Sequence, residues 1–155
     1  MFSAKLRALR FLLGVFCLLP IVVAAEQEII YHNMPGVEEA NLPFSSAVQV
    51  GNTLYLSGTL GNVPGKFELV PGGIEAETRR TMDSIKAMVE RFGSSMDRVV
   101  KCTVFMADMD EWEAMNKVYR TYFKRLPARS AFGSAKLALD ARVEIDCIAI
   151  VGDSE

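Results

Sequence analysis

Two side chains in the last third of the chain carry the charges that bear on chemistry. They are Arg129, in Pro127-Ala128-Arg129-Ser130, and Glu144, in Val143-Glu144-Ile145. A guanidinium is charged at every working pH and presents a planar fork of N–H donors, so it can hold a carboxylate through two parallel hydrogen bonds. A carboxylate set against the same ligand can take a proton from an attacking water. Pro127 closes a helix and directs the chain as it leaves, and so decides where Arg129 points. Val143, Ile145 and Cys147 alternate with Arg142, Glu144 and Asp146, the pattern of a strand with one apolar face and one charged face. Two readings of that charged face stay open. It is a solvated outer surface, or Glu144 and Arg129 face a shared cavity that holds a small carboxylate ligand.

The elements that position these groups can be read from the chain in order. Residues 1–10 carry Lys5, Arg7 and Arg10 with no acid, and residues 11–25 are apolar and end in Val23-Ala24-Ala25. This is the order of a secretory signal peptide, short for a bilayer span, with cleavage expected after Ala25 and an uncleaved anchor as the rival reading. The domain is therefore expected over residues 26–155. Residues 46–50 and 53–58 alternate on either side of Gly51-Asn52, which reads as a β-hairpin, and residues 61–73 form a glycine-rich loop. A helix begins near Ile74 and stops at Gly93. Ile74, Met82, Ile85, Met88, Val89 and Phe92 form its buried face, and Glu75, Glu77, Arg79, Arg80, Lys86 and Glu90 its solvated one.

Residues 97–106 form an apolar strand. Asp110 and Glu113 are spaced as a capping box that opens a second helix, with Trp112, Met115, Tyr119, Tyr122 and Phe123 as its stripe. Asn116 falls on the packed side, where its amide must find partners. By spacing alone, nearby backbone is the simplest one. The resulting order predicts an α+β domain in which two helices cover one face of a single mixed sheet. Self-association is the simplest cover for the other face.

Composition excludes several classes. Without the leader, 17 basic residues become 14 against 19 acids, a net charge of −5 that argues against nucleic-acid binding. His32 is the single histidine and has no neighbour at ligand spacing, so it reads as structural or exposed, and neither a metal nor a cofactor is expected. Cys102 and Cys147 remain, each on the apolar side of a strand. They are expected to be buried free thiols, because disulfide-stapled folds use more cysteines than this.

In seven places, in order along the chain from residue 43, the sequence resembles the reactive-intermediate deaminase family, also known as Rid, YjgF-like or L-PSP endoribonuclease. These are Pro43-Phe44-Ser45; Gly51-Asn52 with Leu54-Tyr55-Leu56-Ser57-Gly58; Gly72-Gly73-Ile74-Glu75; residues 99–105; Met115-Asn116 with Tyr119; Pro127-Ala128-Arg129-Ser130; and Val143-Glu144-Ile145. The resemblance implies a chorismate-mutase-like homotrimer with ligand clefts between subunits. It also implies hydrolysis of enamines and imines such as 2-aminoacrylate to 2-keto acids and ammonia. Residue by residue, it makes Arg129 the carboxylate-binding arginine and Glu144 the acid that positions or activates water, and it places Ser57 and Asn116 in the cleft lining. Phe44 stands where active members have tyrosine, which implies reduced or redirected activity with binding kept, and Ala131 replaces a cysteine found in some members. On this reading Arg129→Ala loses the ligand and leaves the melting temperature nearly unchanged.

Two other functions follow from different classes. The first is a trimeric small-carboxylate-binding protein, a sensor, scavenger or holdase without significant turnover. A secreted or periplasmic location and Phe44 favour it, and the presence of Glu144 beside Arg129 opposes it. The second is RNA cleavage, after the family's older name; the acidic chain and the lack of a basic groove oppose it.

Overall fold

The computed structural model describes residues 27–37 and 39–152. The expected signal peptide lies outside the described residues. Nine elements follow in order: β1 (Ile29–His32), β2 (Ala47–Val50), β3 (Thr53–Leu56), β4 (Thr59–Leu60), α1 (Gly73–Arg91), β5 (Val99–Met106), α2 (Trp112–Tyr119), β6 (Ala128–Gly133) and β7 (Val143–Ile150). The strands form one sheet in the order β1-β2-β3-β7-β5-β6, with β4 also paired to β7. Every pairing is antiparallel except β5 with β6. Those two strands run parallel because α2 lies in the connection between them and returns the chain to the same end of the sheet. The mixed sheet and its two helices match the architecture expected from the sequence.

Both helices pack on one face. Leu54, Cys102, Val104, Val143, Ile145 and Ala149 from the strands meet Met82, Ile85, Val89 and Met115 from the helices, all fully buried. α1 ends where Gly93 takes φ 80°, a left-handed conformation that a residue with a Cβ adopts at a cost, and the Ser94 N–H donates to Val89 O at 2.8 Å. His32 is structural: its ring stacks on Phe92 at 4.7 Å and pairs with Gln49 Oε1 at 3.1 Å. The opposite face carries Tyr55 and Phe132, both exposed. No described element covers it.

Three local expectations are corrected. Glu77 is not on the solvated side of α1. It is buried and accepts the Arg142 backbone N–H at 2.8 Å, because Gly61, with no side chain, lets the glycine loop come down directly onto that turn of the helix. The capping box at Asp110 and Glu113 does not form. A 3-10 turn over Met109–Glu111 precedes α2, and its cap is Asp108, whose side chain accepts the Asp110 N–H at 2.9 Å. Cys102 and Cys147 are not free thiols but a disulfide, with Cα atoms 4.1 Å apart. They are direct partners across β5 and β7, and side chains opposite each other on one face of an antiparallel pair lie within bonding reach.

Candidate functional site

Arg129 sits in β6 opposite Cys102, so its side chain leaves the sheet on the helix-covered face, at the sheet's edge. There α2 receives it. Its Nη1 donates to Asn116 Oδ1 at 2.7 Å, and its guanidinium carbon lies 4.8 Å from the ring centres of both Trp112 and Tyr119. One hydrogen bond and two aromatic faces hold the planar group in a single orientation. The buried amide of Asn116 therefore has a side-chain partner, not the nearby backbone that spacing suggested. Trp112, Asn116 and Tyr119 recur at helical spacing because α2 presents that stripe to β6.

Asn116, Tyr119, Arg120, Leu126, Pro127 and Arg129 line a cavity of about 210 Å³. The Tyr119 hydroxyl is buried there and has no hydrogen-bond partner among the described residues. Burial pushes its pKa up to about 12, against the opposing pull of the Arg129 charge, so it stands as a neutral donor beside the cation. A fixed guanidinium with a phenol next to it can accept a carboxylate.

Glu144 lies three residues from Cys147 on β7 and so projects from the open face, opposite to Arg129. Within one chain the two groups do not share a cavity. The strand periodicity that marked Glu144 as non-core carries no information about which face the edge strand gives to Arg129. Glu144 is half-buried, and its carboxylate rests on Gly58: a Cβ there would overlap Glu144 Oε1. Desolvation by burial raises its pKa above the ordinary carboxylate value, and the negative charge of Asp146 raises it further. No cation among the described residues offsets these effects. Arg142 instead pairs with Glu111, and Arg129 with Asn116.

Ser57 and Phe44 line a different cavity from Arg129, one walled on its other side by Arg80, Ser84 and Met88 of α1. Between β3 and β4 the chain passes through Ser57-Gly58, and both residues line this second cavity of about 500 Å³ together with Phe44, Thr59 and Leu60. The Ser57 hydroxyl donates to Ser45 O at 2.7 Å, which fixes its oxygen and leaves the lone pairs to accept. Arg129 with Asn116 thus forms one half-site, toward the helices, and Glu144 the other, on the open face; Ser57 and Phe44 line a separate cavity against α1 and adjoin Glu144 only through Gly58. Tyr119 belongs to the first, and its position three residues after Asn116, inside the motif, was the signal for it. Gly58 belongs to the second. Its role depends on the approach of Glu144, which no sequence feature shows.

The family model described as Endoribonuclease L-PSP matches residues 36–151. Among curated proteins, the RutC family protein UK114 of Drosophila melanogaster is 41% identical over 114 residues, which is 73% of this chain and 83% of that protein. The 2-iminobutanoate/2-iminopropanoate deaminase of Mus musculus is 41% identical over 111 residues, 71% of this chain and 82% of the mouse protein. Among solved structures, RidA from an Antarctic Psychrobacter is 36% identical with a TM-score of 0.67, covering 70% of this chain and 89% of its own. Yeast Mmf1 is 27% identical with a TM-score of 0.71, covering 81% and 100%.

Proposed function

We propose, from the premise that this chain belongs to the Endoribonuclease L-PSP or Rid (YjgF-like) family, that it is an exported imine deaminase working as a homotrimer. Its substrates are 2-imino acids, including the tautomer of 2-aminoacrylate, and its products are 2-keto acids and ammonia. The observation that carries this reading is the Arg129 guanidinium, held by Asn116, Trp112 and Tyr119 at the wall of a cavity of carboxylate size. Relatives about 40% identical over most of their length bear the name of this activity.

The mechanism asks little of the protein beyond orientation, because an imine carbon is already electrophilic. Arg129, with the Tyr119 hydroxyl beside it, binds the substrate carboxylate. Glu144 of a neighbouring subunit faces the imine and takes one proton from water as the water oxygen bonds to carbon. That proton passes to the nitrogen and gives the carbinolamine; Glu144 then carries the proton of the new hydroxyl to the same nitrogen as the C–N bond breaks, ammonia leaves, and the carbon keeps the oxygen as a ketone. An elevated pKa suits Glu144 to both halves of that transfer. Phe44 supplies an aromatic wall, and Ser57 accepts a hydrogen bond from substrate or water.

The trimer is supported by the separation of the two half-sites. Each chain offers Arg129 on one face and Glu144 on the other, and the open face bears exposed Tyr55 and Phe132. Cleft assembly between copies would bring the halves together and cover that face. Export is supported by the leader sequence and by the buried disulfide, which forms and persists in an oxidising compartment.

The test is ammonia and keto-acid release by the purified protein from imines made in place by an amino-acid oxidase, with Glu144→Gln and Arg129→Lys in parallel. Acceleration lost in both variants supports the deaminase. No acceleration, with keto acid still bound, would replace it with the carboxylate-binding reading. Light scattering that shows a monomer would remove the composite cleft.

A further inference from the structure

We infer that the cavity between α1 and the segments of Phe44 and Phe67 is a binding site of its own, that it takes an organic carboxylate with a bulky aromatic or branched apolar body, and that Arg80 receives the carboxylate. Neither Arg129 nor Glu144 lines this space, so the inference goes beyond the deaminase reading and stands without it. The cavity measures about 500 Å³, within the range of small-molecule pockets. α1 walls one side of it through Arg80, Ser84 and Met88. Phe44, Phe67 and Leu139 line it from three separate segments, and they remain 51%, 64% and 46% exposed. Large apolar side chains drawn from distant segments and left in water mark a place where an apolar body can be buried. Leu139 is kept there at φ 59°, a left-handed conformation that glycine would adopt at less cost.

Arg80 supplies the charge. Its Nε donates to Asn62 O at 2.9 Å, and among the described residues no carboxylate pairs with it. The acids one turn away on α1 are engaged elsewhere: Glu77 accepts the Arg142 N–H, and Asp83 accepts the Tyr122 hydroxyl at 2.7 Å. Asn62 and Arg80 both line an adjoining cavity of about 510 Å³ as well. The guanidinium, tied to Asn62, therefore stands where the two spaces meet, with Nη1 and Nη2 left to donate.

The hydroxyls of Ser57, Thr59 and Ser84 are already spent on backbone carbonyls, at 2.7, 3.1 and 3.0 Å. The Arg80 fork is thus the strong donor set that a ligand would meet, and a planar fork matches a carboxylate. Lys66, the other cation lining the adjoining cavity, pairs with Glu68 at 3.9 Å, and Glu39 lines that cavity too. One unpaired guanidinium with a carboxylate nearby suits a singly charged head better than a dianion.

The experiment is calorimetry on the full protein with phenylbutyrate as the probe, butyrate and phenylbutanol as its two halves, and 2-ketobutyrate as the ligand of Arg129. One phenylbutyrate should bind per chain, about 30-fold tighter than butyrate from burial of the ring and about 10- to 100-fold tighter than the alcohol from the charged hydrogen bonds. Arg80→Gln should bring the acid down to the affinity of the alcohol and leave 2-ketobutyrate unaffected, while Arg129→Lys should do the reverse. Ser84→Leu adds bulk to the cavity from α1 and should weaken the acid and the alcohol together, by tenfold or more. Should Arg80→Gln fail to fold, Ser84→Leu and Arg129→Lys decide between them. No binding of phenylbutyrate, equal affinity for the acid and the alcohol, or affinity that is lost in Arg129→Lys and kept in Arg80→Gln would overturn the inference. Phenylbutyrate held through Arg80 in a protein that ignores 2-ketobutyrate would end the carboxylate role of Arg129 and leave this site standing.

Discussion

Replacing Arg129 by alanine tests whether the guanidinium is both a ligand for carboxylate and a member of the fold. Arg129 viewed as an exposed functional residue gives a variant that melts like the wild type. Its surroundings give a different expectation. The substitution removes the 2.7 Å bond to Asn116, which is buried with its amide oxygen then unpaired. Leaving such a group unsatisfied costs about 1–3 kcal/mol. It also removes the cation from two aromatic faces, each 4.8 Å away, at about 0.5–1 kcal/mol apiece for partly exposed contacts. A loss of about 3 kcal/mol follows, which for a domain of this size lowers Tm by roughly 10 °C. Ligand affinity falls separately, by about 100-fold or more, since the carboxylate loses its cation. Urea denaturation and calorimetry with 2-ketobutyrate read the two effects. Asn116→Ala separates them: it sacrifices the shared hydrogen bond but keeps the charge, and the double variant should show a coupling of about 1.5–3 kcal/mol. An Arg129→Ala protein that unfolds with the wild type and binds keto acid equally well would refute both parts of the reasoning.

Other consequences can be measured independently. Glu144 has a raised pKa in the folded protein, so its contribution to stability is complete below the ordinary glutamate value and is lost as pH rises through the raised one, while turnover, which needs the carboxylate, rises across that same window. Asp146→Asn removes the like charge and should move the acid limb of the kcat/KM profile to lower pH; an unmoved limb would mean that Glu144 is not the titrating group. Gly58→Ala places a methyl on Glu144 Oε1, the end of a flexible side chain, so the protein should stay folded while kcat falls by about 100-fold from misplacement of the base; full activity would remove Glu144 from the mechanism. The Cys102–Cys147 bond closes a separation of 45 residues, and replacing both cysteines by alanine should cost about 2–4 kcal/mol in urea. Two free thiols titrated in the denatured wild type would show that the bond is not formed.

Much of the architecture was present in local pattern. Alternation gave the Gly51-Asn52 hairpin and the last strand, three-and-four spacing gave both helices, and Gly93 marked the end of the first. These signals survive in one dimension because each depends on residues within a turn or a strand of one another. The residue types at Arg129, Glu144, Ser57, Phe44 and Asn116 were legible too, since they recur in a motif order that the family shares.

What only the tertiary structure decided is how distant segments meet. Glu77 became a buried acceptor because the glycine loop descends onto that turn of α1 at Gly61 and the segment entering β7 brings the Arg142 N–H to it. Cys102 and Cys147 became a disulfide because β5 and β7 are neighbours in a register that sets them opposite. Arg129 and Glu144, 15 positions apart in sequence, ended on opposite faces because one leaves an edge strand toward α2 and the other leaves a central strand toward the open side. Periodicity states that a side chain alternates with its neighbours. Which of two faces it reaches, and what stands there, is set by the pairing of strands far apart in the chain.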